Sequence, residues 1–255
     1  MRRILILAPH PDDEVVGCAI AARRALAGGA AISVLFLTTG VPPRARRGSA
    51  ASHDRRIARR REEARAACEL LSFAPAGFLS WPARTLKAHL AEALAIIEAA
   101  IARERIDALW APAYEGGHQD HDATNLLAAR FGARLPVWEF AEYHRAGGRT
   151  TTQGFIAANG TESLIGLAPE EARLKRRALA LYASERGNLA HIRCEREALR
   201  PLASYDYTAP PHGGRLFWTR FQWVPFRHRR IDFDRPEEVY RTLSDFAGAA
   251  AQAAQ

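Results

Sequence analysis

The chain has 255 residues, of which 48% are apolar, and this length suits one α/β domain with a substantial buried core. Its formal charge of +8 comes almost entirely from arginine, and no groove-reading helix, zinc finger or RNP-type aromatic pattern accompanies it, so we expect no nucleic-acid partner. Three widely spaced cysteines and the lack of a long apolar run predict a cytoplasmic protein without an integral membrane segment.

Apolar runs alternate with alanine-rich helical stretches through the first 140 residues, which is typical of βαβ units around a parallel sheet. The pattern predicts strands at 2–8, 31–38, 77–80, 107–111 and 135–140, and helices at 13–27, 53–71, 86–104 and 120–131. We therefore expect an α/β fold, a Rossmann-like three-layer sandwich with a mostly parallel sheet. Its active site should lie at the carboxyl ends of the strands.

The second half of the sequence has weaker periodicity. It predicts strands at 150–157 and 216–224 and helices at 169–182 and 236–250. We expect a single domain over residues 1–255, in which 1–140 form the βαβ core and 141–255 shape the substrate site. The apolar residues Leu216–Trp218, with Phe221 and Trp223, favour a core or dimer-interface role over a sugar-stacking platform, so a homo-oligomer is possible.

The segment 8–14, APHPDDE, follows the first predicted strand and opens the first helix. Helix capping would explain one of its acids. It would not explain three acids beside His10, because carboxylates crowded into a cleft repel one another unless a cation is present. The segment therefore indicates a divalent metal site.

A second motif, GGHQDHD at 116–122, follows the strand 107–111 at another strand-to-helix junction. The two glycines allow a tight turn that aims the histidines at the cleft. If both motifs face one crevice, His10, Asp13 and His121 give three protein ligands and leave a fourth position open, as in catalytic zinc sites. Imidazole ligands favour zinc, although iron, cobalt or manganese could replace it.

The two motifs, HPDDE at 10–14 and HQDH at 118–121, resemble the signatures of the PIG-L/LmbE-like N-deacetylases. The resemblance implies a hydrolase with one Zn²⁺ per chain on His10, Asp13 and His121, which removes acetyl groups from N-acetylglucosamine units or related amines. Asp12 is placed to act as general base for a zinc-activated water. A protonated His118, oriented by Asp120, would stabilise the oxyanion.

Substrate contacts are less constrained by the sequence. An arginine of an Arg-x-x-Glu pattern looks like a sugar contact in the family, and Arg60 with Glu63 fits this spacing, although a solvated helix face is the alternative. Relatives often carry an aspartate where this chain has Ala83, which weakens the case for plain N-acetylglucosamine. The arginine-rich loop 42–48 would suit a lid over an anionic substrate.

Three functions therefore remain open. The first is an N-deacetylase of an amino sugar or glycoconjugate, and the second is an amidase for a non-sugar acylated amine in natural-product tailoring. The third is a non-enzymatic nucleotide-binding module. Against the third, residues 10–13 follow the first strand where a glycine-rich phosphate loop would be needed, and two aspartates there would repel a phosphate unless a metal intervened.

Overall fold

A seven-stranded, mostly parallel sheet runs through the molecule. The computed structural model describes residues 1–45, 48–226, 228 and 231–252. The strands are β1 (Arg3–Ala8), β2 (Ala31–Phe36), β3 (Ala74–Phe78), β4 (Ala108–Pro112), β5 (Val137–Phe140), β6 (Tyr143–His144), β7 (Thr151–Thr152), β8 (Ser163–Gly166) and β9 (Arg196–Pro201). The sheet order is β3-β2-β1-β4-β5-β9-β8, with β6 and β7 paired separately.

Helices cover both faces of the sheet. They are α1 (Asp13–Ala27), α2 (Ala50–Leu71), α3 (Leu90–Glu104), α4 (Gln119–Ala129), α5 (Pro169–Leu181), α6 (Arg186–Leu189) and α7 (Pro236–Gln252), with short 3₁₀ turns at Leu86–Ala88 and Ala183–Glu185. Leu5 and Leu7 of β1 pack with α3, α4 and α7, whereas Ile4 and Ile6 pack with α1, α2 and α5. This alternation is the period of a strand buried on both faces. The predicted three-layer sandwich is confirmed.

The first half of the chain follows the predicted elements closely. Helix α1 has the predicted bounds, and the predicted helix 86–104 is divided into a 3₁₀ turn and α3. Strand β1 pairs in parallel with β2 on one side and with β4 on the other. Among the described helices, none is long and apolar enough to cross a membrane.

The second half departs from the prediction in two places. The predicted strand 216–224 is wrong: backbone amides of Thr219, Arg220, Gln222 and Val224 each bond to the carbonyl three residues earlier, so the segment is a series of turns. Of the predicted strand 150–157, only Thr151–Thr152 is extended. The sequence analysis missed β8 and β9, which extend the sheet: β9 pairs antiparallel with β5, and β8 pairs antiparallel with β9.

Helix α1 is interrupted about one turn after its start. Side chains from the second half of the chain bond to the backbone groups that the interruption leaves unpaired. Cys18 has non-helical angles (φ −146°, ψ 19°), which removes the normal acceptors of the amides that follow. The amides of Ile20 and Ala21 donate instead to the Glu197 carboxylate at 2.8–3.1 Å. The Val16 carbonyl accepts from Lys175 Nζ and from Gln153 Nε2, both at 2.8 Å.

Lys175 and Glu197 also form an ion pair, and both side chains are fully buried. Lys175 Nζ lies 2.6 Å from Glu197 Oε1, so one charged pair joins α1, α5 and β9. A buried pair of this kind is held by its additional hydrogen bonds, since the charges alone would not repay their desolvation. The break therefore depends on residues 153–197 for its hydrogen bonds.

We expect Lys175→Met to lower the free energy of unfolding by about 3–5 kcal/mol, because it leaves the Glu197 charge buried without its partner. Urea unfolding followed by circular dichroism measures this. Arg173→Met, at an exposed position of the same helix, is the matched control and should change little. Adding Glu197→Gln to Lys175→Met should recover part of the loss, and an equal or larger loss in the double variant would contradict the assignment.

Candidate metal and active site

Both sequence motifs meet at the carboxyl ends of the adjacent parallel strands β1 and β4. Helix α1 leaves β1 toward one face of the sheet and α4 leaves β4 toward the other, because the two helices pack in opposite layers. This divergence opens a crevice of the kind in which α/β proteins bind ligands. The ring of His10 lies 4.4 Å from that of His118 and 5.3 Å from that of His121, centroid to centroid.

Of the three residues predicted to bind metal, Asp13 contacts both of the others. Asp13 Oδ2 lies 3.2 Å from His10 Nδ1, and Asp13 Oδ1 lies 3.4 Å from His121 Nε2. His121 is fully buried, and neither of its ring nitrogens has a hydrogen-bond partner. Leaving two such atoms unpaired is costly, and a metal ligated by one of them removes part of that cost. The donor set fits a divalent metal.

Two overlapping sets of residues could hold a metal, and within each set the donor atoms all lie within 4.8 Å of one another. One consists of His10, His118 and His121, and the other of Asp13, His121 and Glu142. Glu142 is buried, its carboxylate has no hydrogen-bond partner, and Oε2 lies 3.7 Å from His121 Nδ1. Burial raises the pKa of Glu142 well above its usual range, and Asp13 adds to this. The sequence analysis had not placed Glu142 among the metal ligands.

The electrostatics of the site require a positive charge. Burial alone would lower the pKa of His10, but Asp13 and Asp120 outweigh it and raise the pKa to about 10. Burial would raise the pKa of Asp13, but His121 and His10 outweigh it and lower the pKa below its usual range. A metal bound between His10 and Asp13 would supply the same positive charge and displace the His10 proton.

The Asp120 carboxylate lies closer to His10 than to His118, the residue that the sequence analysis expected it to orient. Its Oδ2 lies 3.0 Å from His10 Nε2 and accepts from the Arg84 amide at 2.5 Å, whereas His118 Nδ1 is 3.7 Å away. The Leu86 amide donates to Oδ1 at 3.2 Å. With Nε2 bonded to Asp120, His10 presents Nδ1 to Asp13. This is the carboxylate–histidine arrangement that fixes a ligand's tautomer.

The surroundings of His118 favour the neutral imidazole over the imidazolium expected from sequence. Its Nδ1 accepts from the backbone amide of Asp120 at 3.1 Å, which leaves the proton on Nε2. Burial lowers the pKa of His118 well below its usual range, and His10 adds to this. His118 lines the cavity and can act as a neutral hydrogen-bond donor there.

Asp12 stands at the start of α1 in a left-handed backbone conformation, with φ of 138°. This conformation is strained for a residue with a side chain and is found mostly at functional sites. Its amide donates to Glu14 Oε2 at 3.1 Å, and Tyr182 Oη in turn donates to Glu14 Oε1. Burial raises the pKa of Asp12 well above its usual range, with Arg60 opposing the shift.

Arg60 holds this aspartate, and it is only 3% exposed. Its Nη2 donates to the Pro11 carbonyl and lies 3.3 Å from Asp12 Oδ1, and Nη1 lies 3.5 Å from Glu185. The solvated helix face considered from sequence is therefore wrong. The guanidinium borders the cavity, and its two Nη groups are directed at Asp12, Pro11 and Glu185, whereas its buried Nε has no hydrogen-bond partner. Contact with substrate stays a prediction.

Gly116 and Gly117 of the second motif form the tight turn expected from the sequence. Gly116 has φ of 67°, and a Cβ at Gly117 would lie 2.5 Å from the Tyr143 carbonyl oxygen. Asp122 accepts from the amides of Glu115 and Gly116, and Tyr240 of α7 donates to its other oxygen at 2.6 Å. Asp122 therefore fixes the turn from which His118 projects.

A cavity of about 380 Å³ opens above the metal site. Tyr143, His191, Phe217 and Trp218 form one wall, and the Tyr143 and Phe217 rings lie 4.6 Å apart. Another side carries Arg56, Arg59 and Arg60 of α2. The apolar segment 216–218 is buried as predicted, and Phe217 and Trp218 also line the cavity.

The sequence analysis did not identify Asp232 as a cavity residue, because no motif surrounds it. It is buried and lines the cavity beside Ala83 and Arg84, and Gln119 Nε2 donates to it at 2.6 Å. Pro42 of the arginine-rich loop and the preceding Val41 line the cavity, whereas Arg46 and Arg47 lie outside the described residues. A lid role for that loop stays a prediction.

The sequence also matches a known family. The model of the PIG-L family, described as GlcNAc-PI de-N-acetylase, matches residues 5–131, which include both motifs. Residues 5–131 form a PIG-L family domain. The predictions of this family and of an amide-hydrolysing N-deacetylase are confirmed. PIG-L deacetylases depend on a metal, and the donor set described above is where this chain would hold it. No curated protein is similar enough to count as a match.

Solved structures share the fold at low identity. A deacetylase crystallised with teicoplanin is 20% identical, with 80% of this chain and 100% of that chain covered and a TM-score of 0.60. The N,N'-diacetylchitobiose deacetylase of Pyrococcus horikoshii is 17% identical, with 78% and 83% covered and a TM-score of 0.55. GalB, a 4-carboxy-2-hydroxymuconate hydratase of Pseudomonas putida, is 19% identical, with 81% and 98% covered and a TM-score of 0.54.

We expect Asp120→Asn to lower the affinity for metal roughly 10- to 100-fold, because the amide binds the His10 N–H more weakly than a carboxylate does. Competition with a chelator, followed by metal analysis, measures this without any substrate. Asp206→Asn, at an exposed position outside the cavity, is the control. Unchanged affinity in Asp120→Asn would contradict the orienting role.

We expect Arg60→Gln to lower kcat roughly 10- to 100-fold with little change in KM, because Arg60 positions Asp12. Steady-state kinetics on any substrate found for the enzyme gives both constants. Arg59→Gln is the matched comparison, since Arg59 also lines the cavity but bonds to Glu63 at 3.0 Å. A rise in KM alone for Arg60→Gln would favour the substrate contact predicted from sequence.

Proposed function

We propose that this protein is a zinc-dependent N-deacetylase whose metal is held by His10, Asp13 and His121. The observation that carries the proposal is the buried His121, whose ring nitrogens have no partner, beside Asp13 and His10. All three lie within the segment that matches the PIG-L family. Two imidazoles and one carboxylate form a donor set of the catalytic zinc type, with one ion per chain.

A zinc ion bound there would lower the pKa of its water and polarise the substrate carbonyl. Asp12 is the proposed general base. Its carboxylate borders the cavity one residue from Asp13, and Arg60 fixes its position. The raised pKa of Asp12 suits a group that must take up a proton and release it again within one cycle.

His118 is the proposed donor to the reacting carbonyl oxygen or to the leaving amine. The backbone amide of Asp120 holds its Nδ1, so Nε2–H is the atom available to substrate. A fixed neutral donor in a site that excludes water stabilises a developing negative charge. Asp120 acts through His10 and is a positioning residue.

The proposed substrate is an N-acetylated amino sugar within a larger glycoconjugate. The Tyr143–Phe217 wall suits stacking against the apolar face of a sugar, and Asp232 can accept from a hydroxyl. The arginines of α2 suit an anionic group on the substrate. The matched family description names such a substrate, GlcNAc-PI.

A non-sugar acylated amine remains the second candidate. The observation that favours it is Ala83, which borders the cavity where an acidic side chain would otherwise contact a sugar. GalB, with a similar fold, is described as a hydratase, so the fold alone does not fix the reaction.

The proposed organisation is a single domain over residues 1–255 in a cytoplasmic protein. Contacts such as Lys175 to Val16 and Tyr240 to Asp122, which join the two halves, support one domain. The three cysteines are free and buried, which supports a reducing compartment. Formation of a homo-oligomer stays a prediction.

The test is metal content and acetate release for the wild type, His121→Ala and Asp12→Asn. The panel contains N-acetylglucosamine conjugates, with and without a phosphate, and simple acylated amines. We expect about one zinc per chain in the wild type. His121→Ala should lose the metal and the activity, and Asp12→Asn should keep the metal but lose activity by roughly 100-fold or more.

Asp206→Asn serves as the control and should match the wild type in both measurements. A protein that takes up no metal when zinc is added would falsify the metal assignment. Full activity in a metal-loaded Asp12→Asn variant would exclude Asp12 as the base.

A further inference from the structure

Three large aromatic side chains project into solvent from one short loop. Phe221, Trp223 and Phe226 are 46%, 70% and 63% exposed. Among the described residues, only Met1 and Leu164 are other large apolar side chains with comparable exposure. We call residues 219–226 the aromatic loop. Single exposed apolar residues are ordinary, but a cluster marks an interaction site.

The aromatic loop begins at the cavity wall. Phe217 and Trp218, just before it, line the cavity, and so does Arg220 within it. The Arg220 guanidinium lies 3.6 Å from the Phe217 ring centroid and 4.6 Å from that of Phe221. Stacking on both rings links the exposed aromatic residues to the rim of the site.

The charge of the surrounding sequence has one sign. Between Asp206 and Asp232 the chain has arginines at 215, 220, 227, 229 and 230 and no acidic residue. Arg145 adds to this positive field, since it lowers the pKa of Arg220 further, after the larger effect of burial. Aromatic side chains interspersed with arginines are typical of segments that bind the interfacial region of a bilayer containing anionic lipids.

We propose that the aromatic loop docks the protein on an anionic lipid surface and thereby places the mouth of the cavity at the head groups. Phe221, Trp223 and Phe226 enter the interface, and the arginine-rich segment attracts the anionic lipids. This rests on the proposed function only in that the substrate would be an acylated head group or another surface-bound conjugate. A second copy of the chain fits less well, because a two-fold contact would oppose the same arginines.

The test is co-sedimentation with vesicles of phosphatidylcholine alone and of phosphatidylcholine with phosphatidylglycerol. It needs no substrate, so it can succeed or fail independently of the deacetylase activity. The variant Phe221→Ser/Trp223→Ser/Phe226→Ser should lower the partition coefficient on anionic vesicles about tenfold or more. Leu164→Ser, which removes an exposed apolar side chain from β8, is the matched control and should bind as the wild type does.

We expect the wild type to bind anionic vesicles and to lose binding on neutral vesicles or in high salt, with unchanged thermal unfolding in the triple variant. Equal binding by the wild type and the triple variant would overturn the proposal. So would an absence of vesicle binding. A dimer in gel filtration that the triple substitution dissociates, without vesicle binding, would assign the loop to contact between copies instead.

Discussion

The site depends on the electrostatic cost of placing several buried acids and imidazoles at the end of two adjacent strands. Asp12, Asp13 and Asp120 cannot share this crevice as anions unless positive charge is interleaved with them. Arg60 supplies it beside Asp12, and His10 lies between Asp13 and Asp120. Asp12 and Asp13 thereby acquire different environments although they are neighbours in sequence. In the proposed function, Asp13 binds the metal and Asp12 moves the proton.

That division follows from the topology of the sheet. Because β1 and β4 are adjacent and their helices pack in opposite layers, the residues after each strand face one another across the crevice. The rest of the cavity comes from segments that have no counterpart in the repeating βαβ pattern. Tyr143, Phe217 and Asp232 are far apart in sequence and meet only around the cavity. Proteins with this fold can therefore share a metal crevice and differ in what fills it.

The parts of the structure that rest on local periodicity were predictable. The bounds of α1 and the meeting of His10 with His121 follow from apolar pattern, turn residues and the geometry of parallel strands. The partner of Asp120 was not predictable, because the choice between His10 and His118 depends on a register between two loops. The predicted strand at 216–224 failed because its alternating aromatic residues are buried in the cavity wall or exposed on turns. Tertiary contacts outweighed local preference there.

The break in α1 has a consequence for any recombination of this chain. The first helix carries Asp12 and Asp13 at its start, yet its unpaired amides and carbonyl are satisfied by side chains from residues 153–197. A chimera that joins the catalytic half to a different second half would inherit those unpaired groups unless it also kept Lys175 and Glu197. The match to the family model ends at residue 131. The segment that must stay together for α1 to keep its hydrogen bonds extends further, to Glu197.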